Sequence, residues 1–331
     1  MECKYPEILR AVQLRYQAAR LDPERSLVIL ASTENYPPLV DAYYSAAVAL
    51  GADPILVTYK SRPPMSELPD MILDIACRAD QLVDLCYKTY VYSDSWDKVH
   101  ALLPQRGGRI IDSHMHGGEG DINYLLNCPP DSEMTSRVEK AKRMIDQAQE
   151  IRITSSLGTD LTVVRGDRPS ATHFPAGQVA FGPPAGCVDG VVFFVGGLLI
   201  QFPAHYARMV YQPVRIEVAN GKLVVVNRDT EVGIMLDDWF RAQNDPNAYQ
   251  FSHINLGFDH RVVLQDLDSI SCHFNYGGVL IAFGAYFGPQ FKAKNHIDLA
   301  LVGADYSIDG RPILVGGDFT AESGLRRPAR G

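Results

Sequence analysis

A histidine and an aspartate lie two positions apart near the end of the chain, within the apolar stretch at 295–302 (NHIDLALV). Side chains alternate along a strand, so His296 and Asp298 are expected on the same face. A third candidate ligand, His253, lies in another strand-like stretch, SHINLGF. Two histidines and one carboxylate suit non-haem Fe(II) and leave positions open for other ligands. The alternative is a chance His-x-Asp pairing without a metal.

A second group of metal-binding residue types follows the apolar run RII and comprises Asp112, His114 and His116. This spacing is how many zinc hydrolases built as (β/α)₈ barrels begin their metal site. Such a barrel needs about 200 residues or more of alternating strands and helices, whereas this chain becomes β-rich after residue 150. A substrate-facing or ligand-supporting role for these histidines is therefore favoured over a zinc site. Solvated loop histidines remain the alternative.

Four other histidines carry weaker signals. His173 precedes a Gly/Pro turn in ATHFPAGQ and is expected to line a pocket. His205 lies among apolar residues, which favours a buried structural role, and His260 is expected to be exposed. His273, in CHFNY, is compatible with either a structural or a functional role. The chain has no GxSxG, GxGxxG or GxxxxGK[ST] motif, so serine-hydrolase, dinucleotide-binding and P-loop functions have little support.

Strands and helices alternate through the first half of the chain. The continuous apolar run at 26–33 (SLVILAST) predicts a buried strand, and the segment after it predicts a helix with Pro37 near its start and Gly51 just past its end. This pattern predicts an open, largely parallel α/β sheet, Rossmann-like but without a nucleotide motif, over residues 1–148. The predicted elements are strands at 26–33, 54–60, 81–87 and 109–113, and helices at 37–50, 66–78 and 132–150.

The second half has a different pattern. Short strand-like runs are divided by Gly, Pro and Asn-Gly signals, and Asn220-Gly221 and Asp309-Gly310 predict hairpin turns. Only the segment at 235–243 is a clear helix candidate. We therefore predict a mainly antiparallel β domain over residues 149–331, which carries the metal-binding and catalytic residues.

Composition limits the class of protein. A net charge of −8 argues against a nucleic-acid or anionic-membrane partner. No segment has the roughly 18 uninterrupted apolar residues of a membrane helix, and the amino terminus lacks a signal-peptide core. The six cysteines show no CxxC spacing, which favours free thiols in a reducing compartment. A cytoplasmic protein is expected.

Several motifs occur in an order typical of one family: YYSAAVALGAD at 43–53, GTDL at 158–161, FPAGQV at 174–179, INLGF at 254–258, GVLIAFG at 278–284 and HIDLAL at 296–301. The chain resembles the aminopeptidase T-like metallopeptidases over most of its length, more weakly in the first half. The 2,5-dihydroxypyridine 5,6-dioxygenases are similar to a mononuclear-iron branch of this architecture.

Three departures from the metallopeptidase pattern bear on the metal. Where the resemblance leads one to expect two glutamates and a histidine, this chain has Gln178, Asn255 and Leu280. Two neutral amides and a leucine cannot hold a second dication, whose charge carboxylates normally balance. A two-metal peptidase is therefore not expected.

The resemblance to the dioxygenase branch implies a function. It implies Fe(II) ligands at His253, His296 and Asp298, and ring cleavage of a hydroxylated N-heteroaromatic substrate by O₂. The base that such a reaction needs is expected among His114, His116 and His173, and less firmly at His205. Two alternatives stay open, a single-metal hydrolase and a non-catalytic small-molecule-binding relative. The expected partners are a small aromatic or heteroaromatic substrate, O₂ and further copies of the chain, with neither nucleic acid nor a membrane.

Overall fold

The structure is a computed structural model that describes residues 4–113, 119–172, 177–264, 269–286 and 291–327. The chain forms two compact units, residues 1–131 and residues 132–331. The boundary therefore lies earlier than the position 148/149 expected from the sequence. The physical reason is the helix Ser132–Gln147, whose buried face (Met134, Val138, Ala141 and Ile145) belongs to the core of the second unit.

The first unit contains a four-stranded parallel sheet in the order β2-β1-β3-β4. This is the open α/β sheet predicted from the alternating pattern. Its elements are α1 (Tyr5–Ala18), β1 (Leu27–Ser32), α2 (Pro37–Ala49), β2 (Pro54–Tyr59), α3 (Asp70–Arg78), β3 (Gln81–Asp84), α4 (Tyr87–Tyr90), α5 (Asp94–Gln105), β4 (Arg109–Ser113) and α6 (Glu119–Asn127).

Local signals explain most of these boundaries. Every residue of β1 is buried, as expected for a central parallel strand covered on both faces. Helix α2 begins at Pro37 and is followed by Gly51 with φ +88°, a conformation that favours glycine. Helix α3 begins at Asp70, later than the predicted start at residue 66. Pro69 explains the difference, because the residue before a proline is disfavoured in the helical region.

The second unit is built on antiparallel strands, as predicted. In the described part of the chain one large sheet has the order β17-β16-β15-β5-β6-β9-β14-β13-β12-β8-β7, with β10 pairing with β9 and β11. Its elements are α7 (Ser132–Gln147), β5 (Glu150–Thr154), β6 (Asp160–Val164), β7 (Ala171–Thr172), β8 (Gln178–Phe181), β9 (Val188–Phe202), β10 (Tyr206–Ala219), β11 (Lys222–Val226), α8 (Glu231–Ala242), a 3₁₀ turn (Pro246–Tyr249), β12 (Phe251–Gly257), α9 (Ser269–Phe274), β13 (Val279–Gly284), β14 (His296–Leu301), β15 (Asp305–Ile308), β16 (Arg311–Val315) and β17 (Asp318–Phe319).

Both predicted hairpin turns are present. Asn220 and Gly221 have positive φ and join β10 to β11, and Asp309 and Gly310 do the same between β15 and β16. Helix α8 is longer than predicted because Thr230 caps its start, accepting a hydrogen bond from the Gly233 amide. The short helix α9 was not predicted.

The large sheet has two differently packed faces. Alternate residues of β13 and β14, among them Phe283 and Leu299, enter the main core of the unit. The opposite face carries a smaller apolar cluster, formed by Leu199, Cys272, Leu280, Ala282 and Ala300. His296 and Asp298 alternate with the core residues of β14 and so belong to the second face. Across the described residues, no helix has the length and apolar character needed to cross a membrane.

Candidate metal centre

Three adjacent strands position the candidate metal ligands. His296 and Asp298 are on β14, His253 is on β12, and β13 lies between these two strands. Asp298 of β14 lies directly opposite Ala282 of β13, whose side chain is only a methyl group. All three ligand residues are at most 1% exposed.

A β-bulge brings His253 into line with Asp298. Phe251 pairs with Phe283 and Ile254 with Ile281, so two residues of β12, Ser252 and His253, lie opposite the single residue Ala282. Such a bulge re-aims side chains and is common beside functional sites. Strand alternation alone therefore gave the right face for His253 but not its position opposite Asp298.

The donor atoms converge on one carboxylate oxygen. Oδ1 of Asp298 lies 3.2 Å from His296 Nε2 and 3.7 Å from His253 Nε2. One ligand atom from each residue can be chosen so that all lie within 4.8 Å of one another. The two imidazole rings are stacked, with centroids 5.2 Å apart and planes 8° from parallel. Among the described residues, this is the one group of three or more His, Cys, Asp or Glu side chains suited to a metal ion.

The hydrogen bonds on the far side of each ring define the tautomers. His296 Nδ1 lies 3.1 Å from the Ala285 carbonyl, which can only accept, so Nδ1 carries the hydrogen. Ser252 donates its hydroxyl hydrogen to the same carbonyl at 2.6 Å. The Ser252 oxygen is then an acceptor for His253 Nδ1, 3.2 Å away. Both rings thus direct Nε2 towards Asp298, the arrangement in which metal-binding histidines coordinate through Nε2.

Electrostatics favour a bound cation at this point. Burial, reinforced by the positive potential of His296, lowers the pKa of His253 well below its ordinary value, so its imidazole is neutral. Burial alone would raise the pKa of Asp298, but the nearby His296 and His273 outweigh it and keep this pKa below its usual range. A buried carboxylate that faces two imidazole Nε2 atoms is balanced by positive charge, which a bound cation can supply. The donor set therefore fits a divalent metal ion.

Gln201 holds the other carboxylate oxygen. This residue, at the end of β9, is buried and donates a hydrogen bond from Nε2 to Asp298 Oδ2. Oδ1 is thereby left to face the histidines. No local sequence pattern predicts this contact, because Gln201 and Asp298 are 97 positions apart.

A third histidine also reaches the site. His273 on α9 is 5% exposed, and its Nε2 lies 3.8 Å from Asp298 Oδ1. Its ring stacks on that of His253 at a centroid distance of 6.3 Å. The sequence left the role of His273 open, since nothing in CHFNY distinguishes a core histidine from a site histidine. Only the packing of α9 against this face does so.

The other predicted site residues have different outcomes. His114, His116 and His173 lie outside the described residues, so their assignment as catalytic candidates stays a prediction. His205, expected to be buried, is exposed in the turn between β9 and β10, because the chain reverses there at the end of two long strands.

The three positions that depart from the metallopeptidase pattern lie on the same sheet face as the candidate ligands. Leu280 joins the small apolar cluster, and Asn255 pairs with it from β12. Gln178, on β8, is the diagonal neighbour of Asn255. All three are buried. The face thus holds one carboxylate, Asp298, and no second acidic group at these positions.

Comparison with known proteins agrees with the fold. A unit with a parallel sheet followed by a unit with a large antiparallel sheet is the aminopeptidase-like fold. The sequence matches the family described as NicX: 2,5-dihydroxypyridine 5,6-dioxygenase over residues 7–321. The chain belongs to this family.

Individual relatives support the same assignment. A 2,5-dihydroxypyridine 5,6-dioxygenase from Pseudomonas putida is 25% identical over 337 aligned positions, which cover 92% of this chain and 93% of the relative. The structure of 2,5-dihydroxypyridine dioxygenase from Pseudomonas putida KT2440 superposes with a TM-score of 0.80 at 21% identity, covering 96% of this chain and 98% of that chain.

Wild-type AmpT from Thermus thermophilus shares the fold more distantly. Its TM-score is 0.58 at 14% identity, covering 95% of this chain and 99% of that one. The resemblance inferred from the sequence is confirmed. Family membership makes the protein a ring-cleaving dioxygenase, an oxidoreductase that uses O₂ and a small-molecule substrate, and the hydrolase and non-catalytic alternatives are not favoured.

Proposed function

We propose that the protein binds a single Fe(II) through His253, His296 and Asp298 and cleaves the ring of a hydroxylated N-heteroaromatic compound such as 2,5-dihydroxypyridine. The observation that carries the proposal is the convergence of two imidazole Nε2 atoms on Asp298 Oδ1 in a fully buried site. Two imidazoles and one carboxylate match the preference of non-haem Fe(II). The substrate class follows the printed name of the family and of the Pseudomonas putida relative.

The bound iron would supply open positions for substrate and O₂ and the electrons that let O₂ react with the ring. The residues around it set the conditions. Asp298 provides one negative charge, Gln201 fixes its second oxygen, and the Ala285 carbonyl orients the imidazole of His296. Burial excludes bulk water from the donor atoms, which strengthens each of these electrostatic contacts.

A proton acceptor for the ring hydroxyl is also needed. We retain His114, His116 and His173 as candidates for this role. His273 is a further candidate, since its imidazole lies beside Asp298 without belonging to the three-residue cluster.

Anaerobic reconstitution tests the proposal. The protein is stripped of metal, loaded in parallel with Fe(II), Mn(II) or Zn(II), and mixed with 2,5-dihydroxypyridine and O₂. We expect one iron per chain, O₂ uptake equal to the loss of ring absorbance, and no uptake with Zn(II). The absence of iron binding, or amide hydrolysis without O₂, would overturn the proposal.

A further inference from the structure

Two buried carboxamide oxygens beside the candidate metal centre have no hydrogen-bond donor among the described residues. They are Oε1 of Gln178 and Oδ1 of Asn255, on side chains that are 6% and 1% exposed. Buried acceptors are normally satisfied, because an unpaired one keeps its full desolvation penalty. Two such atoms together call for an external donor.

Strand register places both amides on the face of the metal ligands. Asn255 pairs with Leu280 of β13, which lies two residues before Ala282, the residue opposite Asp298. Gln178 pairs with Gly257, so it is diagonal to Asn255 on that face. The amides therefore extend from the metal centre along one surface of the sheet.

The orientation of Asn255 is fixed by a neighbour. Its Nδ2 donates to the backbone carbonyl of His273. If the amide oxygen and nitrogen of Asn255 were exchanged, its oxygen would face the His273 carbonyl oxygen, so this alternative orientation is excluded. Oδ1 must then be the free atom, and it can only accept a hydrogen bond.

We propose that Gln178 and Asn255 form the acceptor side of the substrate subsite and receive the ring N–H and a hydroxyl hydrogen of the substrate. This inference rests on the proposed function. A 2,5-dihydroxypyridine in its lactam form offers a ring N–H, a hydroxyl and a carbonyl. A ring that directs a carboxylate at the two amides offers no hydrogen-bond donor, and the oxygens of Gln178 and Asn255 would repel its negative charge. The two amides thus select neutral N-heteroaromatic donors over carbocyclic and anionic rings.

Anaerobic binding to the Fe(II)-loaded protein tests the subsite. Dissociation constants are measured for 2,5-dihydroxypyridine and for hydroquinone, which has the same two hydroxyls but C–H in place of the ring nitrogen. We expect the wild type to prefer the pyridine by about 10- to 100-fold, since a buried acceptor left without its donor costs a factor of this size.

Two variants remove one acceptor each with little change in volume, Gln178→Met and Asn255→Leu. We expect either to reduce the preference about 10-fold, mainly by weakening pyridine binding. Tyr306→Phe is the matched control. The Tyr306 hydroxyl is also buried without a hydrogen-bond partner among the described residues, but it lies on β15, which β5, β6 and β9 separate from β14 in the sheet. We therefore expect Tyr306→Phe to keep the wild-type preference for the pyridine.

The outcomes separate the inference from the proposed function. If both variants bind iron and keep the wild-type preference, as they would if only an ordered water met the amides, the subsite inference is overturned. If the wild type itself takes up no iron and consumes no O₂ with any hydroxypyridine, the proposed function fails instead.

Discussion

Each unit of the molecule buries carboxylates, and one from each unit, Asp112 and Asp298, is balanced in a different way. In the first unit Asp112 is 2% exposed and forms an ion pair with Arg15, which is 3% exposed, at 3.0 Å. The hydroxyl of Tyr43 donates to its other oxygen. In the second unit Asp298 is surrounded by imidazoles and by the amide of Gln201.

The difference distinguishes a carboxylate paired with a permanent charge from one that faces imidazoles and an amide. The guanidinium of Arg15 carries a permanent charge. Burial alone would lower its pKa, but the charge of Asp112 outweighs this effect and raises the pKa above its ordinary value. The charge of Asp112 is therefore balanced by Arg15. The neutral imidazole of His253 cannot balance Asp298 in the same way, which is consistent with the proposed metal ion at this carboxylate.

The largest expected effect is at Asp298. Asp298→Asn should lower Fe(II) affinity by more than about 100-fold and abolish O₂ uptake, because loss of a direct ligand exceeds the 10- to 100-fold loss typical of outer partners. Iron content and oxygen consumption measure this.

The exposed carboxylate of Asp318 provides the control for this change. Asp318→Asn alters the same functional group on the same sheet, away from the candidate ligands, and should leave iron content unchanged. Full iron loading of Asp298→Asn would contradict the ligand assignment.

A loss of folding stability is expected when Asp112 is changed. Asp112→Asn leaves the buried Arg15 without its counter-charge and should destabilise the first unit by about 3–5 kcal/mol. Hydrogen exchange of the β1 and β4 amides measures this loss. The double variant Arg15→Met, Asp112→Leu should recover most of the stability, and failure to recover it would argue against a purely structural pair.

A smaller effect is expected from the residue that orients Asp298. Gln201→Leu removes the hydrogen bond to Oδ2 and should weaken Fe(II) binding by about 10- to 100-fold, as for other outer partners. Competition with a chelator of known affinity measures the change. Gln212→Leu, at an exposed position of β10, is the matched control, and equal affinities for both variants would exclude a positioning role.

The smallest effect is expected where solvent helps to balance the charge. Asp146 on α7 is 28% exposed and accepts hydrogen bonds from Arg165 at 2.9 Å, from Lys142 at 2.6 Å and from the Ser170 amide at 2.7 Å. Asp146→Asn should cost about 1–3 kcal/mol at neutral pH, because it leaves the buried Arg165 without its counter-charge while solvent reaches Asp146 itself. Urea titrations of variant and wild type measure this difference.

The same variant has a defined pH dependence. Burial alone would raise the pKa of Asp146, but its hydrogen bonds with Lys142 and Ser170 lower this pKa below its ordinary value. The stabilisation is therefore complete above the unfolded pKa of about 4 and is lost as the pH falls through the folded pKa. A difference between variant and wild type that persists well below pH 3 would contradict this account.

Much of the architecture was predictable because its signals are local. The run SLVILAST, the proline at the start of α2 and the turns at Asn220 and Asp309 act through neighbouring residues. The lengths of the strands were less predictable. Strand β9 extends over Val188–Phe202, whereas its sequence suggested only a short strand, because pairing with β10, β6 and β14 extends it. The metal-ligand candidates were also predictable in type, since His-x-Asp on a strand needs only alternation.

The sequence by itself determined the kinds of ligand, their order along the chain, and the loss of carboxylates at Gln178 and Asn255. These are properties of residue type and local spacing. Only the tertiary structure decided that a bulge sets His253 opposite Ala282, that His273 arrives from α9, and that Gln201 holds the second oxygen of Asp298. The physical reason is that cross-strand register and helix packing depend on the whole sheet. A chain with the same two histidines and one aspartate in another register would bury the carboxylate without assembling a metal site.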